Sequence, residues 1–400
     1  MFCRAYKSLK VLGVCLLCAV LLCLLPIEGI AAESVDENEL NARAAALIDG
    51  DTGRVLYGKN EDTVMPMAST TKIMTCIIAL EYGNLEDVYT VSSYAASMPQ
   101  VKAGYRENEQ YRLEDLLYAL MLESHNDAAV VIAEGVAGSV EGFAALMNRK
   151  AAELGCGSTH FVTPNGLDAE GHQTTAAELG QIASYALKNE RFCEIIQTRS
   201  YTYTNVSGEN SRSISNKNAF LDQYDGCIGM KTGYTGKAGY CYVGCARRNG
   251  VTLISVVLAC GWPPHKTYKW KDSRTLLDYG FAAFEKKEIL TSRKSFETIV
   301  VNNGIEDTIT VSMTESLTLL IGEQETVRYE YQLPDTVEAP VKAGEQIGTL
   351  QIYINEQLYQ TCPVSADYSV EEFTWKYAFD VVIGYFLDVE YWPALFEKQG

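Results

Sequence analysis

Apolar and polar positions divide the chain into four stretches. Val11–Ile27 is an almost unbroken apolar run behind Arg4, Lys7 and Lys10, followed by the small residues Gly29 and Ala31. That layout predicts a signal peptide over residues 1–31, cleaved just after Ala31, and an exported mature chain. The second stretch, 36–290, mixes two periods. Residues 42–60 hold two apolar runs around Asp49-Gly50-Asp51-Thr52-Gly53, the pattern of a hairpin. Over 68–82, Ile73, Cys76, Ile77 and Leu80 recur on one helical face until Gly83-Asn84. Helical spacing returns at 112–122, 126–137, 139–154 and 174–189, with a break at Ser124. From 225 to 260 the pattern turns to strands, with a turn at Arg247–Gly250, and 270–287 reads as a closing helix. Strands from both ends of a stretch with helices between them predict an α/β or α+β enzyme domain. The third stretch, 294–368, has short alternating runs (ETIVV, DTITVSM, LTLLI, VRYEYQL, GTLQIYI) and turns such as Asn302-Asn303-Gly304. These predict a small all-β sandwich. The fourth, 369–400, is an aromatic-rich tail.

Composition narrows the function classes. Apolar residues make up 47% and charged residues 21%, which supports a large folded core rather than disorder. The net charge of −18 argues against a nucleic-acid partner, because phosphate contacts need clustered Lys and Arg. Beyond residue 31 there are eight cysteines, at 76, 156, 193, 227, 241, 245, 260 and 362. Their spacing fits no disulfide scaffold, and C-x-x-x-C at Cys241–Cys245 is not by itself a zinc pattern, so they are expected to be free, buried thiols. Four histidines (125, 160, 172, 265) and no H-E-x-x-H predict neither a metal site nor a cofactor.

Three short motifs carry chemistry. Ser69-Thr70-Thr71-Lys72 is the only S-x-x-K and opens a predicted helix. Residues three apart share a helical face, so the Lys72 amine can reach the Ser69 hydroxyl and serve as its base. The helix start adds unpaired N–H groups for a developing oxyanion. Ser124-His125-Asn126 lies between two helices, where Ser124 and Asn126 can both point into a cleft. Lys231-Thr232-Gly233 begins a strand, with Lys231 and Gly233 on one face and Thr232 on the other. Lys and Thr together suit a carboxylate, and the glycine lets a substrate backbone lie close. Each motif alone is also what an ordinary helix start, N-cap or turn looks like. Their order along one chain is the specific signal.

With these motifs the sequence resembles the D-alanyl-D-alanine carboxypeptidase family, the low-molecular-mass penicillin-binding proteins. MASTTKIMT, MLESHNDAAVVIAE, FVTPNGLDAEGHQTTAAELG, NKNAFLDQYDGCIGMKTGYTGKAGYCYVGCARRNG and EAPVKAGEQIGTLQIYI carry the likeness across roughly residues 36–365. The resemblance implies a penicillin-binding, β-lactamase-like catalytic domain with an antiparallel sheet and a helical cluster. It implies a serine-type enzyme that removes the terminal D-Ala of peptidoglycan stem pentapeptides and is acylated by β-lactams. Ser69 would be the nucleophile, Lys72 the base, and Ser124 the proton carrier to the leaving group. Asn126 would bind the substrate amide, Lys231 and Thr232 its carboxylate, and Gly233 the space beside it. The N–H groups of Ser69 and Tyr234 would form the oxyanion hole. His125 stands where many relatives have glycine. A class A-like β-lactamase would need a deacylating Glu, typically E-x-x-x-N, where Phe161–Asp168 has none. A non-catalytic sensor would need a lost motif residue, and none is lost.

The tail fits the same picture. Glu372, Lys376, Asp380, Gly384 and Asp388 draw one polar stripe, with Phe373, Trp375, Phe379, Val382, Tyr385, Phe386 and Val389 around the rest. Val381–Leu387 is too short to span a bilayer. An amphipathic helix on the outer face of the cytoplasmic membrane is expected, although six acids and two lysines in 369–400 make it unusually acidic.

Overall fold

The computed structural model describes residues 34–387, apart from 292, 293 and 297. The expected signal peptide and the last residues of the tail lie outside the described residues. Five antiparallel strands form the central sheet. They are β1 (Ala44–Asp49), β2 (Val55–Lys59), β3 (Cys227–Thr235), β4 (Gly239–Arg248) and β5 (Val251–Leu258), in the order β2-β1-β5-β4-β3. β1 therefore pairs across the chain with β5, from Ala44 opposite Leu258 to Asp49 opposite Leu253. The turn between β4 and β5 is two residues long. Asn249 (φ 49°) and Gly250 (φ 78°) supply the left-handed backbone that such a hairpin requires.

All six residues of β1 are buried because both sheet faces are covered. Ala44, Ala46, Ile48, Ile254 and Val256 face a cluster of helices. Ala45, Leu47, Leu253 and Val257 pack on Leu276 and Leu277 of the helix Tyr268–Ala283. The period of two thus sorts one strand between two cores.

The helical cluster is built around α1 (Lys72–Tyr82), which a 3₁₀ turn at Ala68–Thr71 introduces. The sequence predicts one apolar face for this helix, whereas Lys72 through Ala79 are all buried. The cause is enclosure by α2 (Leu113–Leu122), α3 (Asn126–Ala137), α4 (Val140–Glu153) and α5 (Ala176–Ala186). Local capping sets several ends. Ser139 accepts from the Gly142 N–H, Thr175 from that of Glu178, and Gly138 ends α3 at φ 77°.

One expectation is corrected here. The closing helix ends at Ala283, and Phe284–Leu290 is a strand paired antiparallel with Leu317–Gly322. Residues 284–288 (FEKKE) suit a helix locally, but the distant partner strand decides their conformation. A five-stranded sheet and a three-stranded sheet complete the β region around Ile309, Val311, Leu350, Ile352, Cys362 and Val364. Arg54, in the turn between β1 and β2, ion-pairs with Glu325 at 2.6 Å and also donates to the Leu320 carbonyl, tying this region to the sheet domain. All eight cysteines among the described residues are free. Six are buried, and Cys193 and Cys227 are half-buried. Trp375–Leu387 forms the tail helix.

Candidate active site

The turn before α1 is clamped from two sides. Ala68 has φ +49°, an unusual conformation for alanine, and Ser69 follows it. On one side is β3. A Cβ at Gly233 would lie 2.8 Å from the Ser69 nitrogen, so only glycine lets the strand come this close. On the other side is the loop 161–172. A Cβ at Gly166 (φ +80°) would lie 2.0 Å from the Ala68 carbonyl oxygen.

Lys72, one helical turn on from Ser69, is fully buried. Its amine lies 2.9 Å from Ser69 Oγ and 3.0 Å from Asn126 Oδ1, and it also donates to the Asn165 carbonyl. Ser69 Oγ itself lies 3.3 Å from that carbonyl. Burial pushes the Lys72 amine well below its ordinary value. The charge of Lys231 pushes the same way, and Asp127 opposes it. Loss of one proton leaves the amine a lone pair beside the serine hydroxyl.

β3 brings in the third motif. Lys231 and Gly233 are buried on one face and Thr232 is half-buried on the other, as strand alternation predicts. Lys231 Nζ donates to the Thr232 carbonyl at 2.9 Å, and burial lowers its pKa to about 7. Tyr234 is 44% exposed, and its ring lies 4.7 Å from that of Tyr240. Ser124 is half-buried at φ +68° in the turn between α2 and α3, two residues before the Asn126 side chain that meets Lys72. His125 is buried, with Nε2 3.2 Å from Glu123 Oε2.

Several contributors escape reasoning from the motifs. Asn165 acts through its backbone carbonyl, which no side-chain pattern reveals. The Asp127 carboxylate accepts from the N–H groups of Ala103, Gly104 and Tyr105 and so fixes a loop beside Asn126. Asp168 accepts from Thr235 Oγ1 at 2.8 Å, tying the loop to the end of β3. Thr71, two residues on from Ser69, shares a hydrogen bond with His172. The signal available for Asn165, Gly166, Asp168 and His172 was the block FVTPNGLDAEGHQTT, in which all four stand.

The Ser69 hydroxyl thus lies beside a depressed amine, with a second buried lysine on an adjoining strand, an arrangement that suits serine acyl transfer. Comparison with known proteins agrees. The chain belongs to the D-alanyl-D-alanine carboxypeptidase family, whose profile matches residues 31–261, and a penicillin-binding protein 5 C-terminal domain matches residues 284–372. It is 32% identical over 336 residues to D-alanyl-D-alanine carboxypeptidase DacF of Bacillus subtilis, covering 81% of this chain and 85% of that one. It is 30% identical to DacC of Escherichia coli, covering 86% and 87%. Penicillin-binding protein 5 of Haemophilus influenzae superposes with a TM-score of 0.72 at 26% identity, over 85% of this chain and all of that one. A D-alanyl-D-alanine carboxypeptidase structure from Mycobacterium tuberculosis gives 0.59 at 31% identity, over 64% and 96%. The chain is a serine-type D-alanyl-D-alanine carboxypeptidase with a penicillin-binding-protein fold, and the class A β-lactamase alternative is not favoured.

Proposed function

We propose that Ser69 attacks the carbonyl of the penultimate D-Ala in a peptidoglycan stem pentapeptide, with neutral Lys72 taking its proton. The observation that carries this reading is the buried, depressed Lys72 amine 2.9 Å from Ser69 Oγ. The N–H groups of Ser69 and Tyr234 receive the oxyanion. Asn126 binds the substrate amide, and Ser124 passes a proton to the departing D-Ala nitrogen as the C–N bond breaks. Water then cleaves the Ser69 ester and releases a tetrapeptide. Lys231, in its charged form, and Thr232 hold the terminal carboxylate, and Gly233 leaves room for it. A β-lactam offers a strained amide and a carboxylate in the same relation, so it acylates the same serine.

The pH dependence tests this division of labour. Lys72 must be neutral, so activity falls as acid protonates it. Lys231 must be charged, and its pKa is near 7, so activity also falls as base deprotonates it in the free enzyme. D-Ala release from a pentapeptide should give a bell-shaped kcat/KM profile. Lys231→Arg should move the alkaline limb to higher pH, since guanidinium stays charged. An alkaline limb unmoved in that variant would exclude Lys231 as its source.

The mature chain is proposed to work outside the cytoplasmic membrane, held there by its tail. Among the described residues, no single helix is long and apolar enough to cross a membrane. The helix Trp375–Leu387 nevertheless exposes large apolar side chains, with Trp375 at 90% and Phe379 at 64%. Burying them at a lipid surface is favourable by roughly 25 cal/mol per Å², while Lys376 and Asp380 stay in water. Such binding is little weakened by salt, unlike that of a polybasic anchor. The full mature chain should float with liposomes at low and high salt alike. A chain ending at Phe373, which keeps the Val341–Val370 and Gly304–Glu372 bridges, should stay soluble and still bind penicillin. Failure of the full chain to float at either salt would refute the membrane role.

A further inference from the structure

We infer that His172 is a positioning residue for the oxyanion hole, acting on the nucleophile's own peptide through Thr71. The inference rests on the reading of Ser69 as nucleophile. Its basis is a one-way chain of hydrogen bonds. The Val162 N–H points at His172 Nδ1 at 3.0 Å, so that nitrogen must be the acceptor. The imidazole proton therefore sits on Nε2, 2.8 Å from Thr71 Oγ1. Thr71, accepting there, gives its own proton to the Ala68 carbonyl at 2.7 Å. The polarity of every link is fixed by the backbone donor at one end and the backbone acceptor at the other.

The last acceptor matters because of covalent geometry. The Ala68 carbonyl and the Ser69 N–H belong to one planar peptide unit. A hydrogen bond that fixes the oxygen also fixes where the N–H points, and it polarises that N–H as a donor. Ala68 needs such restraint, since its left-handed φ of +49° is not one alanine prefers. Gly166 completes the seat, for a Cβ there would strike both the Ala68 oxygen and Thr71 Oγ1. Burial of His172, with His160 and Lys72 nearby, keeps the ring neutral despite Asp168, so the chain of bonds persists through the working pH range.

The rate at which labelled penicillin acylates Ser69, and kcat and KM for D-Ala release, read this directly. His172→Ala should slow acylation by about 30- to 100-fold, the scale for a misaimed oxyanion donor. KM should stay within about threefold, because the ground-state clamp is untouched. Thr71→Val, which removes donor and acceptor without changing volume, should do the same, and Thr71→Ser should restore most of the rate. The double variant His172→Ala, Thr71→Val should be little slower than either single one, since each breaks one chain. If His172→Ala acylates within threefold of the parent, or if the two losses multiply, the relay is wrong. If the parent itself is not acylated at Ser69, the nucleophile assignment falls and the relay with it. A parent acylated at Ser69 beside an equally fast His172→Ala variant overturns the relay alone.

Discussion

Lys72→Arg is expected to slow both Ser69 acylation and D-Ala release by about 10³-fold or more at pH 7. In the proposed mechanism the amine works because it can be neutral. It is fully buried, lies near the charge of Lys231, and its acceptors are the Ser69 hydroxyl, the Asn126 amide oxygen and the Asn165 carbonyl. None of these is an anion, so nothing in direct contact offsets the cost of burying an ammonium. A guanidinium keeps its proton in any such setting and offers no lone pair to the hydroxyl. Single-turnover acylation by a β-lactam measures the effect without the deacylation step. Acylation within tenfold of the parent would remove Lys72 from the role of base.

Ser69→Ala is expected to lower D-Ala release by on the order of 10⁴-fold or more, while substrate still binds. Ser69 is half-buried, and losing its hydroxyl leaves Lys72 its bonds to Asn126 and the Asn165 carbonyl. The clamp of Gly233 and Gly166 on the turn does not involve the hydroxyl, so the fold should persist. A pentapeptide should therefore bind the variant with near-parental affinity in a direct binding measurement. Turnover above about one per cent of the parental rate would show that another group attacks the substrate.

The parts of the site that lie on one continuous element were legible from the sequence. Ser69 and Lys72 are three apart on a helix start, and Lys231 and Gly233 two apart on a strand, so local periods alone put each pair on one face. Joining the motifs required their order along the chain, because nothing local says that β3 lies against the turn before α1. What remained hidden acts through backbone or through distance. Asn165 contributes a carbonyl, which every residue has. His172 meets Thr71 from 101 positions away, and neither stands out by type. The fold shows the same divide. The hairpin over 42–60 and the helix 126–137 follow from local pattern, and the structure has strands at Ala44–Asp49 and Val55–Lys59 and a helix at Asn126–Ala137. The strand Phe284–Leu290 was misread as helix because its partner, Leu317–Gly322, lies well downstream. The short pair Val88–Thr90 and Gln110–Arg112 was missed because three residues hold too little alternation to register.

The most direct test of the account is the site of covalent capture. The mature protein is incubated with a labelled penicillin, digested, and its peptides are sequenced by mass spectrometry. The expected result is one penicilloyl group per chain, on Ser69 in the peptide that also carries Lys72. An adduct on any other residue, or a fully folded protein that takes up no label, would contradict it.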